Sequence, residues 1–229
     1  MGKKRLKRQA GRLYLVLAAL FVAALVAGNL IFQKFFYWNF FGWHTFELSV
    51  GILPYPLTFL ITDLIAEIFG KRKANQVVIS GLFATVFVLL IIGVSSTVPA
   101  TSWSPVKDAT FNQVFGLTGV AVSASMIAYL LAQLIDIRIY HFWKNYTKGK
   151  KLWLRNNFST MTSQFVDTAS VLILLCLFGA IDWDKFPALL FSGFLFKVMV
   201  AAFDTPFLYF FVWWIKKHFS LAENEEISD

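Results

Sequence analysis

The chain has 229 residues, of which 58% are hydrophobic and only 15% are charged, and its formal net charge is +8 at pH 7. This composition excludes an ordinary soluble domain, in which about a quarter of the residues are charged. With Cys176 as its single cysteine, the chain has neither an internal disulfide nor a multi-cysteine metal site.

Six segments are long and apolar enough to cross a bilayer as helices. A hydrocarbon core about 30 Å thick requires roughly 20 helical residues, whereas a transmembrane β-strand has about 10 residues of alternating polarity. The predicted spans are 13–33, 48–69, 76–96, 113–138, 157–181 and 187–215. We therefore expect an all-α polytopic membrane protein in which residues 1–229 form a single membrane domain.

The cations alternate between the two sides of these spans. Of the 21 lysines and arginines, 17 lie in the amino-terminal tail, after the second span, between the fourth and fifth spans, and after the last span. Lys34, Lys107 and Lys185 fall on the opposite side. The positive-inside rule then places both termini in the cytoplasm. Because topology accounts for the basic charge, no direct nucleic-acid partner is expected.

The second predicted span contains two prolines near its start, in the stretch GILPYPLTFLITDLIAEIFGKRK. Pro54 and Pro56 remove two backbone donors and disfavour helix at the residues before them. The span is therefore expected to be broken near these prolines and to begin as irregular backbone, which survives at membrane depth only beside protein or a wet cavity. A simple kink, or a helix that starts near Leu57, remains open.

Charged side chains inside spans are costly, by about 2.5 to 3.5 kcal/mol each at the helix centre. Asp63 and Glu67 are four residues apart and share one helix face. Glu67 could instead reach the cytoplasmic interface or meet Lys71. In the fifth and sixth spans, Asp167 and Lys197 either contribute to a functional site or neutralise each other as a buried ion pair.

Motifs for chemistry are missing from the sequence. It contains no nucleophile elbow, no Gly-rich phosphate loop and no His-Glu-x-x-His pattern. We therefore predict a protein that is not an enzyme, with no catalytic residue, no cofactor and no metal. Catalysis by an intramembrane acid pair is not excluded by residue type alone.

Five stretches of the chain resemble the queuosine precursor transporter family, also described as a vitamin uptake transporter family. They run nearly from end to end and read GNLIFQK, GILPYPLTFLITDLIAEIFGKRKANQVV, LAQLID, LRNNFSTMTSQFVDT and FKVMVAAFDTPFLY. The resemblance implies a six-helix protein of the bacterial inner membrane that imports 7-deazaguanine bases or queuine for transfer RNA modification. The positions that match the family's polar residues are Asn29, Lys34, Asp63, Glu67, Gln133, Asp136, Arg155, Ser159, Gln164, Asp167, Lys197 and Asp204.

On this basis we expect the substrate site to lie between the second, fourth, fifth and sixth spans. Asp63, Gln164 and Asp167 are expected to bind the edge of a 7-deazapurine base, since carboxylates accept paired donors and amides supply a donor and an acceptor. Lys197 and Asp204 would shape the site or pair within it. The alternative is a substrate-binding membrane subunit of an ATP-driven vitamin or nucleobase uptake complex. The lipid bilayer is the expected surrounding partner, and an oligomer or an energising partner is left open.

Overall fold

The computed structural model describes residues 3–31, 34–42, 44–115, 119–148, 150, 152–177, 182–222 and 225–227. These residues form helices and one β-hairpin. In chain order the elements are α1 (Lys3–Ile31), β1 (Phe35–Phe40), β2 (His44–Ser49), α2 (Tyr55–Ile68), α3 (Gly70–Thr97), α4 (Asp108–Phe115), α5 (Gly119–Tyr146), α6 (Leu152–Leu177) and α7 (Phe186–Phe219).

Four helical segments of the described residues are long and apolar enough to cross a membrane. They are Arg5–Ile31, Val50–Ile68, Gly70–Thr97 and Trp183–Phe219. Large apolar side chains such as Phe83 and Leu90 point outward from the helices, as expected where lipid covers a bundle. The protein is therefore a mainly helical, multi-pass membrane protein. The count of six spans and the cytoplasmic position of both termini stay predictions.

A β-hairpin follows α1, although only helices were predicted. β1 and β2 pair antiparallel, with Phe35 opposite Ser49 and Phe40 opposite His44. The turn between the strands contains two residues with positive φ angles, Phe41 at 50° and Gly42 at 76°. Glycine adopts such angles without strain. Residue 48, near which the second span was predicted to start, belongs to β2.

The backbone around the two prolines has the predicted irregular start. A 3-10 turn at Val50–Ile52 precedes α2, which begins at Tyr55 with Pro56 in its first turn. Proline is well suited to this position because the first N–H groups of a helix have no intrahelical partner. With 14 residues, α2 is about 21 Å long.

A tight turn at Gly70 joins α2 directly to α3. The φ angle of Gly70 is 82°, a left-handed conformation that strongly favours glycine. Since α3 begins at this residue, Lys71, Arg72 and Lys73 lie in its first turn and not in a loop.

The basic segments meet at one end of the helix bundle. The Tyr14 hydroxyl in α1 donates to the Lys73 carbonyl in α3 at 3.3 Å. Lys216 near the end of α7 and Lys144 near the end of α5 both contact Glu67 near the end of α2. The alternation of charge along the sequence therefore corresponds to a real grouping in space.

Helix α2 is the buried centre of the bundle and contacts α1, α3, α5 and α7. Its residues from Phe59 to Ile68 are almost entirely buried, and Phe21 of α1 is fully buried against the same core. The sequence can place two carboxylates in α2 because neighbouring helices, and not lipid, surround them.

Candidate functional site

The structure divides the predicted polar residues into groups at different depths. Glu67 lies at the basic end of the bundle. Asp63, Gln133, Asp136 and Ser159 form a buried cluster in its centre. Gln164, Asp167, Lys197 and Asp204 gather around a cleft between α2, α6 and α7.

Glu67 is the anion of an ion network at the basic end. Its Oε1 accepts from Lys216 Nζ at 2.7 Å, and Lys144 Nζ lies 3.6 Å from Oε2. The Tyr140 hydroxyl also donates to Oε2, at 3.1 Å. Glu67 is only 1% exposed, and cations from α5 and α7 compensate its charge. Through these contacts Glu67 joins α2, α5 and α7.

The central cluster contains two hydrogen-bonded carboxyl groups, those of Asp63 and Asp136. Ser163 donates to Asp136 Oδ1 at 2.9 Å, and Ser159 also hydrogen-bonds Asp136. The pair ties α2 to α5 and α6.

The amide of Gln133 belongs to the same buried cluster. Thr62 donates to Gln133 Oε1 at 3.3 Å, and neither side chain is exposed at all. Asp63 is itself only 4% exposed and does not line the cleft.

Asp167 is held at the edge of the cleft by two donors from different helices. Lys197 Nζ of α7 lies 2.5 Å from Asp167 Oδ2, and the Tyr55 hydroxyl of α2 donates to the same oxygen at 2.6 Å. Lys197 also lies over the Tyr55 ring, 4.7 Å from its centroid, a cation–π geometry. The ion pair considered from sequence is thus confirmed. Because Lys197 Nζ also lies 3.5 Å from the Tyr55 hydroxyl oxygen, one ammonium hydrogen has no partner among the described residues.

The cleft holds about 280 Å³, counting the open space at its mouth. Its wall is largely apolar and aromatic, with a few polar groups. The lining residues are Ile52, Tyr55, Pro56, Phe59, Gln164, Phe196, Lys197, Val200, Ala201 and Asp204. Gln164 is 4% exposed, and its Oε1 atom is buried without a hydrogen-bond partner. Such an acceptor is costly to leave unsatisfied, which indicates a site that a ligand completes.

Three predicted residues lie apart from this cleft or outside the described side chains. Asn29 lines a second cavity of about 230 Å³ between α1, α3 and α5. Lys34 is exposed just before β1. The backbone of Arg155 lies in α6, and its side chain is outside the described part of the structure.

Tyr55 is the site residue that sequence reasoning did not identify. It lies between the two prolines, and the search for costly charged groups passed over an uncharged phenol. The Pro-Tyr-Pro pattern was a usable signal, because two prolines that fix the start of a helix also fix the direction of the side chain between them.

The arrangement suits reversible binding better than covalent chemistry. The cleft offers an ammonium donor, an amide and carboxylate acceptors beside flat aromatic surfaces, the usual composition of a small-molecule site. Among the described residues, no group of three or more His, Cys, Asp or Glu side chains could hold a metal ion.

Comparison with known proteins gives consistent matches. Residues 49–211 match the family model described as "Putative vitamin uptake transporter". A "Probable queuosine precursor transporter" of Bacillus subtilis is 27% identical over 164 residues, which cover 70% of each chain. A protein of the same description from Haemophilus influenzae is 26% identical over 160 residues, 69% of this chain and 65% of that protein. No solved structure matches the chain significantly.

Proposed function

The chain belongs to the vitamin uptake transporter family, and from this premise we propose that it imports 7-deazaguanine precursors of queuosine across the bacterial inner membrane for transfer RNA modification. Both relatives above are described as transporters of queuosine precursors. In this proposal the cleft between α2, α6 and α7 receives the base.

The observation that carries the proposal is the buried, unpartnered Oε1 of Gln164 in the wall of that cleft. An apolar permeant would leave this acceptor unsatisfied, at a cost of about 1 to 3 kcal/mol. A ligand with an N–H group on a flat ring satisfies it and places the ring against Phe59 or Phe196. The purine-like edge of a 7-deazaguanine base has these properties.

Neither relative is described as a subunit of an ATP-driven complex, the alternative considered from the sequence. Reconstitution separates the two. A purified carrier takes up labelled 7-deazaguanine into proteoliposomes without ATP or another protein, whereas a substrate-binding subunit alone does not.

Adjacent alanines of α7 provide a matched pair for testing the position of the site. Ala201 lines the cleft and is 6% exposed, whereas Ala202 faces outward. Ala201→Phe fills the cleft, so uptake in proteoliposomes is expected to fall at least 10-fold. Ala202→Phe should retain wild-type uptake. Equal uptake by both variants, with equal amounts of folded protein, would remove this cleft from the transport path.

A further inference from the structure

The polar groups that line the cleft have unequal freedom to bind a ligand. Asp63 and Asp167 are not among the lining residues. Asp167 Oδ2 already accepts from Lys197 and Tyr55, and Asp63 interacts with Asp136. Among the described residues, the Asp204 carboxylate makes no ion pair and no hydrogen bond, yet it lines the cleft. Among the groups that line the cleft, the acceptors without a partner are therefore Gln164 Oε1 and the Asp204 carboxylate.

These acceptors share the cleft with a donor on the same helix. Lys197 precedes Asp204 by seven residues, or two helical turns, so both lie on one face of α7 about 10 Å apart along its axis. Gln164 contributes from α6. The cleft consequently presents one ammonium donor and two acceptors to a molecule that lies between the two turns.

We infer that Gln164 and Asp204, and not Asp63 or Asp167, select the ligand by accepting hydrogen bonds from its ring N–H and its exocyclic amine. This inference rests on the proposed function and names the groups that determine its specificity. The Watson–Crick edge of a guanine-type base has one carbonyl acceptor followed by two N–H donors. That order complements a Lys197 donor and the two acceptors, with the carbonyl oxygen toward Lys197.

The charge of the cleft favours the same ligands. Asp167 and Lys197 neutralise each other, so the cleft has a net negative charge when the Asp204 carboxyl group is ionised. A carboxylate is the stronger acceptor for neighbouring N–H groups because hydrogen bonds to ionised groups are roughly twice as strong as neutral ones. An aminomethyl substituent, which is cationic, is tolerated by this charge, whereas an anionic substituent is repelled.

Specificity for the exocyclic amine is the property to measure. The test compares binding of 7-deazaguanine and 7-deazahypoxanthine, which lacks that amine, to the purified protein in detergent. We expect the wild type to prefer 7-deazaguanine roughly 10- to 100-fold, the range for one hydrogen bond to a charged group. Asp204→Asn should lose most of this preference while it still binds 7-deazahypoxanthine. Asp184→Asn, which changes an exposed carboxylate outside the cleft, should keep it.

A second variant protects the test against misfolding. Gln164→Met keeps the length of the side chain and removes the acceptor, so it should also reduce the preference for 7-deazaguanine. If Asp204→Asn and Gln164→Met are monodisperse and keep the wild-type preference, the inference is wrong while the proposed function stands. If the wild type binds neither base, the proposed function fails and the inference fails with it.

Discussion

The ion pair between Asp167 and Lys197 permits a double-mutant cycle that measures how strongly α6 and α7 are coupled beside the cleft. Their charged atoms are 2.5 Å apart, and the side chains are 6% and 14% exposed. Removing one partner leaves the other charge buried and uncompensated, which costs about 3 to 5 kcal/mol. Removing both is far less costly, because no unpaired charge remains.

The measurement is the melting temperature of the purified protein in detergent for wild type, Asp167→Asn, Lys197→Met and the double variant. For domains of 150 to 250 residues, 1 kcal/mol corresponds to roughly 2 to 4 °C. Each single variant is therefore expected to melt about 10 °C below wild type, and the double variant to recover more than half of that loss. The double variant should bind 7-deazaguanine more weakly than wild type, because it lacks the Lys197 ammonium group, which is a proposed donor to the ligand.

An exposed ion pair supplies the control for this cycle. Lys185 and Asp182 lie 3.9 Å apart with side chains 69% and 83% exposed, and such pairs contribute little because water screens them. The same cycle at these residues should show no measurable coupling. If the losses at Asp167 and Lys197 were simply additive, the two charges would not compensate each other and our description of the cleft edge would be wrong.

Two further predictions concern packing and the carboxyl-terminal tail. A Cβ atom at Gly81 would lie 2.7 Å from Phe21 Cε1, whereas one at Gly93 meets nothing within 4 Å. Gly81→Ala should therefore lower the melting temperature by several degrees through overpacking. Gly93→Ala should leave the melting temperature unchanged or raise it, because alanine has the higher helix propensity. The reverse order of melting temperatures would contradict the packing of α1 against α3. Glu226 Oε1 accepts a hydrogen bond from Lys144 Nζ of α5 at 2.6 Å. Glu226→Gln should therefore speed digestion of the carboxyl-terminal tail by carboxypeptidase relative to Glu225→Gln. Equal digestion rates would show that this contact does not hold the tail.

The helical membrane character and the grouping of basic segments were predictable because they depend on composition and order along the chain. Pro54 and Pro56 likewise indicated the irregular start of the second span, since proline acts on its own backbone. The hairpin formed by β1 and β2 was not predicted. The first strand, FFYWNF, is mostly aromatic, whereas the second, HTFELS, alternates polar and apolar residues from Thr45 onward. This alternation is typical of a strand, but the segment lies beside long apolar runs that indicate helices.

The site was only partly predictable because packing decides which polar residues meet. Spacing along α2 placed Asp63 and Glu67 on one face, yet the structure assigns them to different clusters with Asp136 and with two lysines. Whether Gln164 or Asp167 keeps free acceptors depends on donors from other helices, and one of these donors, Tyr55, is uncharged. Such long-range pairings are invisible to residue spacing.

Determination of the structure with bound 7-deazaguanine tests the central claim most directly. The ligand is expected between α2, α6 and α7, with its ring beside Phe59 or Phe196 and its donor edge toward Gln164 and Asp204. Ligand found in the cavity beside Asn29, or bound only at the protein surface, would contradict the account.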